Sequence, residues 1–204
     1  EVRLLRSGEL RGPAGETCLG WRRAVERPVS IKALGRALPA FESGKIAMWL
    51  NAGKGAPAIR AAMVLEAVLT EAPRADVASL VLADAALAQT FGWDHLVPLL
   101  AAGLKRADLR KQGDDLRLAC HRALILSAVE AVRLSADLAR RAAHLKAVAP
   151  KLRAKGADAA VEMFLTRDAV APLALPLSDR AARRLCARLV DLGAVRELTG
   201  RDTF

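Results

Sequence analysis

Residues 113 to 150, GDDLRLACHRALILSAVEAVRLSADLARRAAHLKAVAP, set the architecture of this chain. The stretch has no proline before its last residue and no glycine after its first. Two sets of apolar residues recur in it at helical spacing. They are Leu116, Ala119, Ala123, Leu126 and Leu134 on one face, and Leu124, Ala128, Ala131 and Leu138 on another. Because a helix that is apolar on two faces needs neighbours on two sides, we predict a long helix at the centre of an α-helical bundle.

Short amphipathic segments separated by proline and glycine precede the long helix. Ser30 is expected to cap a helix over 31–38, and Pro57 to open the first turn of another. A helix over 77–91 and a further one over 93–104 follow. Since short connections favour antiparallel neighbours, we predict a mainly α multi-helix bundle over residues 1–149 with the long helix as its central member.

The pattern changes after Pro150. We predict a helix over 157–166, a proline-interrupted segment, and a helix from Asp179 to Leu192 with Ser178 at its N-cap. Val195 to Leu198 is typical of a strand, followed by a hairpin turn and the start of a returning strand. Because this order resembles a winged helix, we interpret residues 150–204 as a small winged-helix-like module, helices plus a β-hairpin, with its wing truncated at the C-terminus.

The charge of the chain favours a polyanionic partner, with a net charge of +10 and a pI near 10.4. Two groups of cations are candidate contacts to double-stranded DNA. The first is Arg180, Arg183 and Arg184 on the last helix, with Arg201 at the wing tip. The second, which could extend a phosphate-binding track, is Arg140, Arg141, Lys151, Arg153 and Lys155. Two alternatives stay open: solvated arginines on a docking module, and cations that suit the negative end of a helix dipole.

No motif carries catalytic chemistry by itself. Ser43-Gly44-Lys45 and Gly53-Lys54-Gly55 resemble phosphate loops but lack the required spacing. Four carboxylates are set into apolar helices, Glu66, Asp84, Glu130 and Asp137, yet no histidine follows a glutamate by three residues, as a di-metal bundle would need. Arg133 lies one turn after Glu130, which favours an ion pair between them. We expect Asp84 to meet an arginine or a helix N-terminus, because a buried carboxylate needs a partner. We predict no enzyme activity, no cofactor and no metal site.

Three isolated cysteines, Cys18, Cys120 and Cys186, fall inside predicted helices without pairing motifs. This pattern favours reduced, buried thiols in a cytoplasmic protein. The apolar runs are too short to span a bilayer, so we predict no membrane partner. The chain begins at Glu1 and stops at Phe204 within the predicted hairpin, and we expect further residues at both ends.

Three segments carry a resemblance to a known family. They are GWDHLVPLLAAGLKRADLR (92–110), ADLARRAAHLKAVAPKLRAKGADAAVEMFL (136–165) and SDRAARRLCARLVDLGAVRELTGRDTF (178–204). They resemble the uncharacterised bacterial family catalogued as domain of unknown function 1403, and the likeness covers most of the chain. The resemblance implies a further helical region before Glu1 and a few residues after Phe204. It implies no activity.

Two hypotheses of function follow from these patterns. In the first, a DNA-associated or regulatory protein uses its helical domain for assembly, with itself or a partner, and its C-terminal module to contact nucleic acid. In the second, the chain is a non-enzymatic protein-protein interaction scaffold whose winged helix docks a partner protein.

Overall fold

The computed structural model describes residues 12–152, 156–167 and 169–198, which fall into two compact units. The N-terminal unit (12–132) contains α1 (Pro13–Val25), α2 (Ile31–Ala37), α3 (Ser43–Asn51), α4 (Pro57–Glu71), α5 (Asp76–Phe91), α6 (Leu99–Gly103) and a 3-10 turn (Asp108–Arg110). Helix α7 (Gly113–Val148) begins in this unit and ends in the C-terminal unit (133–198). The latter adds 3-10 turns at Ala149–Lys151 and Pro172–Ala174, α8 (Ala157–Thr166) and α9 (Asp179–Asp191). The domain boundary predicted at residue 150 stays a prediction.

The mainly α fold and the long helix are confirmed, but the winged helix with its β-hairpin is wrong. The described residues contain no strand, and their one β feature is an isolated bridge between Pro28 and His95. Gly193 ends α9 with a φ of 65°, and the amides of Ala194 and Val195 both donate to the carbonyl of Leu189. Val195, where the predicted strand would begin, is therefore held against the end of α9. The rest of the predicted hairpin, 199–204, lies outside the described residues.

The helix predicted over 93–104 is also shorter than expected, because only Leu99–Gly103 is helical. Backbone pairing explains the difference. The carbonyl of Asp94 accepts a hydrogen bond of 2.8 Å from the amide of Val29, next to the bridge between Pro28 and His95. This pairing sets residues 94 and 95 beside Pro28 and Val29 instead of in a helix, and α6 begins only after Pro98.

Trp49 belongs to the first apolar cluster of the N-terminal unit. Its ring packs edge-to-face on Phe41 with centroids 5.2 Å apart, and its Nε1 donates to Glu71 Oε2 at 2.9 Å. Lys45 forms an ion pair with the same carboxylate and lies 5.3 Å from the ring centroid. Helices α3 and α4 are thus joined by a hydrogen bond and an ion pair to one carboxylate.

The first half of α7 packs on one side only. Leu116, Ala119, Cys120 and Ala123 are buried against α4, α5 and α6 residues in a second apolar cluster. Ile125, Leu126 and Val132 are exposed. The helix is long and continuous as predicted. Leu124, from the second predicted face, is partly buried against the same cluster, whereas Leu126, from the first predicted face, is exposed. No helix within the described residues is both long and apolar enough to cross a membrane.

Gly103, the last residue of α6, allows a close approach to α7. A Cβ at this position would lie 2.5 Å from Ser127 Oγ and 2.7 Å from the carbonyl oxygen of Ala123. The backbone of Ala123 cannot move away without disturbing α7. We therefore expect Gly103→Ala to lower the free energy of unfolding by about 2 kcal/mol, measured by urea denaturation. Gly44→Ala is the matched control, because a Cβ there meets nothing within 4 Å and should not destabilise. Equal stabilities of the two variants would contradict the contact.

Candidate anion-binding groove

Helix α9 is amphipathic, and its buried face orients its arginines. Ala182, Leu185, Cys186 and Leu189 are buried in the core of the C-terminal unit. The end of the helix is also held by His144, whose Nε2 donates to the carbonyl of Leu192 at 3.1 Å. With that face fixed, Arg180, Arg184 and Arg188 follow one another at intervals of four residues along the exposed side.

Lys151, Arg184 and Arg188 meet in one open groove, which we call the cation groove. It has a volume of about 630 Å³, and its other lining residues are Pro150, Leu152, Ala181 and Leu185. None of the described residues that line it is acidic. The groove therefore offers three positive charges from two chain segments to a negatively charged ligand, with an apolar wall behind them.

The predicted arginine group of α9 is divided by the structure. Arg183 Nε lies 3.2 Å from Asp179 Oδ1, so its charge is compensated on its own helix. Arg184 Nε donates to the carbonyl of Arg180 at 3.3 Å and its side chain lines the groove. Arg180 is exposed one turn earlier. Arg188 was missed by the sequence analysis, although its spacing of four residues from Arg184 was a usable signal.

The predicted phosphate-binding track is divided as well. Arg140 and Arg141 both pair with Asp137, at 3.3 and 2.7 Å. Arg141 lines a different groove of about 520 Å³, together with Arg167, Arg196 and an apolar wall that includes Phe164. Of the described members of the second group, Arg140, Arg141 and Lys151, only Lys151 lines the cation groove. Arg153, Lys155 and Arg201 lie outside the described residues.

Two of the four carboxylates singled out in the sequence, Asp84 and Glu66, act as helix caps. Asp84 accepts hydrogen bonds from the amides of Leu100 (2.8 Å) and Ala101 (3.1 Å), at the start of α6, which confirms the expected helix N-terminus. Glu66 Oε1 accepts from the amide of Gly113, the first residue of α7, at 2.8 Å. Within the described residues, no cluster of three or more His, Cys, Asp or Glu side chains could hold a metal ion.

The cysteines differ in their surroundings. Cys120 and Cys186 are buried as predicted, whereas Cys18 is exposed, so the prediction of a buried thiol is wrong there. Burial raises the pKa of the Cys120 thiol to about 12, with smaller contributions from Asp108 and Asp84. A thiol that stays protonated at neutral pH is a poor nucleophile. Cys120 is therefore best understood as part of the core.

Fold and groove together define the class: a mainly helical protein with a cation-lined groove in its C-terminal unit. The chain belongs to the family described as Protein of unknown function (DUF1403), whose family model matches residues 1–204. The family resemblance seen in the sequence is thereby confirmed, whereas the resemblance to a winged helix is not. No curated protein and no solved structure matches the chain.

Proposed function

We propose that the C-terminal unit binds a polyanion, with double-stranded DNA as the first ligand to test, through the cation groove. The observation that carries the proposal is the meeting of Lys151, Arg184 and Arg188 in a groove with no acidic lining residue. Two of these cations come from α9 and one from the turn after α7, so the fold itself assembles the charge. Arg180 adds a fourth cation at the start of the same helical row.

Arg180, Arg184 and Arg188 form a row along α9 whose length suits a phosphate backbone. From Arg180 to Arg188 the helix advances about 12 Å. One DNA strand carries a phosphate every ~3.4 Å along the axis, so this length covers about three to four phosphates. Guanidinium groups can bind phosphate oxygens through two parallel hydrogen bonds. Such contacts position the ligand without reading bases, so the proposed binding is independent of sequence.

The test is a triple variant, Lys151→Ala, Arg184→Ala and Arg188→Ala, titrated into a fluorescein-labelled 20-bp duplex by anisotropy. We expect affinity to fall about a hundredfold at 0.1 M salt, and the slope of log affinity against log salt to decrease by about three, because each cation releases about one counterion. Circular dichroism shows whether the variant is folded.

The matched control removes the same charge elsewhere, through Lys54→Ala, Arg27→Ala and Arg36→Ala, three exposed cations of the N-terminal unit. We expect its affinity to stay within about threefold of the parent and its salt slope to be unchanged, because it leaves the groove intact. An equal loss of affinity in both triple variants would show that net charge causes the loss and would contradict the cation groove as the binding site. A parent protein that does not bind duplex at low salt would overturn the function.

A second function, a non-enzymatic scaffold that associates through protein contacts, is favoured by the exposed apolar side chains of α7. The scaffold does not need a winged helix, and its surface is on the N-terminal unit. The predicted cytoplasmic location and the predicted lack of enzyme activity stay predictions.

A further inference from the structure

The second groove of the C-terminal unit combines cations with an open apolar surface, and we call it the Phe164 groove. Three segments line it: the C-terminal part of α7 (138–145), the end of α8 (164–167) and the chain after α9 (194–198). Its volume of about 520 Å³ is within the range of about 300–1,000 Å³ that is typical of small-molecule sites. Among the described residues, it shares no lining residue with the cation groove.

The apolar side chains of the Phe164 groove extend from the core to the surface. Leu145 is buried, and Phe164 and Val195 are partly buried against the same apolar cluster of the C-terminal unit. Two further lining residues are much more open, since Leu138 is 55% exposed and Leu198 is 46% exposed. The fold thus leaves large apolar side chains from two segments in contact with water, and an apolar ligand that covers them gains free energy.

Three arginines, one from each segment, supply the charge of the Phe164 groove: Arg141, Arg167 and Arg196. Arg141 pairs with Asp137 at 2.7 Å, so its charge is partly compensated. Arg167 and Arg196 form no ion pair with another described residue. None of the described residues that line this groove is acidic. The groove therefore has an excess of positive charge beside its apolar surface.

We propose that the Phe164 groove binds a small amphiphilic carboxylate, a molecule with one carboxylate and an aromatic or aliphatic body. A planar guanidinium binds a carboxylate through two parallel hydrogen bonds, and Arg167 and Arg196 supply two such groups. The body of the ligand covers Phe164 and the two exposed leucines, which removes their apolar surface from water. Charge and apolar surface are thus complementary to the two parts of one small molecule.

This ligand class differs from that of the cation groove. The leucines of the cation groove, Leu152 and Leu185, are half-buried and buried, so a purely charged ligand leaves little apolar surface uncovered there. In the Phe164 groove such a ligand would leave Leu138 and Leu198 open to water. An apolar body attached to the anion removes that cost. Because the two grooves are lined by different residues, either binding function can fail without the other.

The first test titrates the full chain into pyrenebutyrate, a fluorescent carboxylate with an aromatic body, and follows its anisotropy. Pyrenebutanol, which has the same body without the charge, is the matched probe. We expect pyrenebutyrate to bind about tenfold more tightly, because the arginines act on the carboxylate alone. Octanoate should displace pyrenebutyrate, whereas acetate should not, since acetate lacks an apolar body. Equal affinity for the two probes, or no binding of either, would overturn the proposed ligand class.

The second test locates the site. Arg167→Gln with Arg196→Gln should weaken binding of pyrenebutyrate about tenfold and leave pyrenebutanol unchanged. Arg196 is exposed, so Arg196→Gln alone serves if circular dichroism shows that the double variant does not fold. Arg184→Gln with Arg188→Gln is the matched control, because it removes the same charge from the cation groove of the same unit and should retain the parent affinity. An equal loss of pyrenebutyrate affinity in the control variant would overturn the Phe164 groove as the site.

Discussion

Asp84→Ala should lower the free energy of unfolding by about 4 kcal/mol, measured by urea denaturation at pH 7. Asp84 is fully buried, and its two oxygens accept hydrogen bonds from two amides in the first turn of α6, those of Leu100 and Ala101. These amides have no partner within the helix because they belong to its first turn. Removal of the carboxylate leaves both without an acceptor, and each buried unsatisfied amide costs about 1–3 kcal/mol.

The same carboxyl predicts how stability depends on pH. Burial raises the pKa of Asp84 to about 7, while the backbone hydrogen bonds from residues 99–101 act in the opposite direction. Between about pH 4 and 7 the folded state therefore holds a proton that the unfolded state has lost. The contribution of Asp84 to stability is greatest below this range, falls as the pH rises through it, and is constant above it.

Asp84→Asn isolates this effect, because the amide keeps an oxygen acceptor and does not titrate. From pH 5 to pH 7.5 we expect the parent to lose about 2 to 3 kcal/mol relative to Asp84→Asn, following about 1.4 kcal/mol per pH unit. At pH 7 the asparagine variant should be more stable than the alanine variant. Parallel pH profiles for the parent and Asp84→Asn would show that the raised pKa is wrong.

Trp49→Ala should destabilise the protein by a similar amount, about 4 kcal/mol, because a large buried side chain leaves a cavity that the core only partly fills. Trp49 is 2% exposed, packs on Phe41 and donates to Glu71. Trp49→Phe should cost about half as much, since it retains an aromatic ring but loses the hydrogen bond.

Trp93→Ala is the matched control for this substitution. Trp93 is 38% exposed and stacks on Phe91, itself an exposed residue, with ring centroids 4.8 Å apart. We expect a loss of about 1 kcal/mol in urea denaturation followed by circular dichroism. A larger loss for Trp93→Ala than for Trp49→Ala would place the main aromatic core elsewhere than the Trp49 cluster.

Much of the helical fold could be predicted because its signals are local. Ser30 caps α2 as expected, with its hydroxyl accepting from the amide of Ala33 at 3.2 Å, and α8 spans the predicted 157–166. Both depend on residues within one or two turns of each other. Two predictions from local pattern were wrong. The helix predicted over 93–104 is shortened by backbone pairing with a distant segment, and the strand predicted at 195–198 is replaced at its start by hydrogen bonds to the end of α9.

The candidate site was predictable only in part. The exposed arginines of α9 follow from its periodicity, since Leu185 and Leu189 must face a core. The periodicity does not predict which cations come together in space. Lys151 and Arg188 are far apart in sequence, and only the packing of α9 beside the turn after α7 brings them into one groove. Arg183 and Arg184 are neighbouring arginines on the same helix, but Arg183 pairs with Asp179, whereas Arg184 lines the groove.

The chain alone determined the family, the helical class, most helix positions and the excess of positive charge, because each depends on composition or on neighbours along the sequence. The tertiary structure decided which apolar face of α7 is covered, which carboxylates cap helices, and which cations share a groove. These properties depend on residues that are distant in sequence and close in space. Apolar periodicity shows that a face can be buried, but only the packed fold shows that the Leu116 side of α7 is covered and the Ile125 side is open.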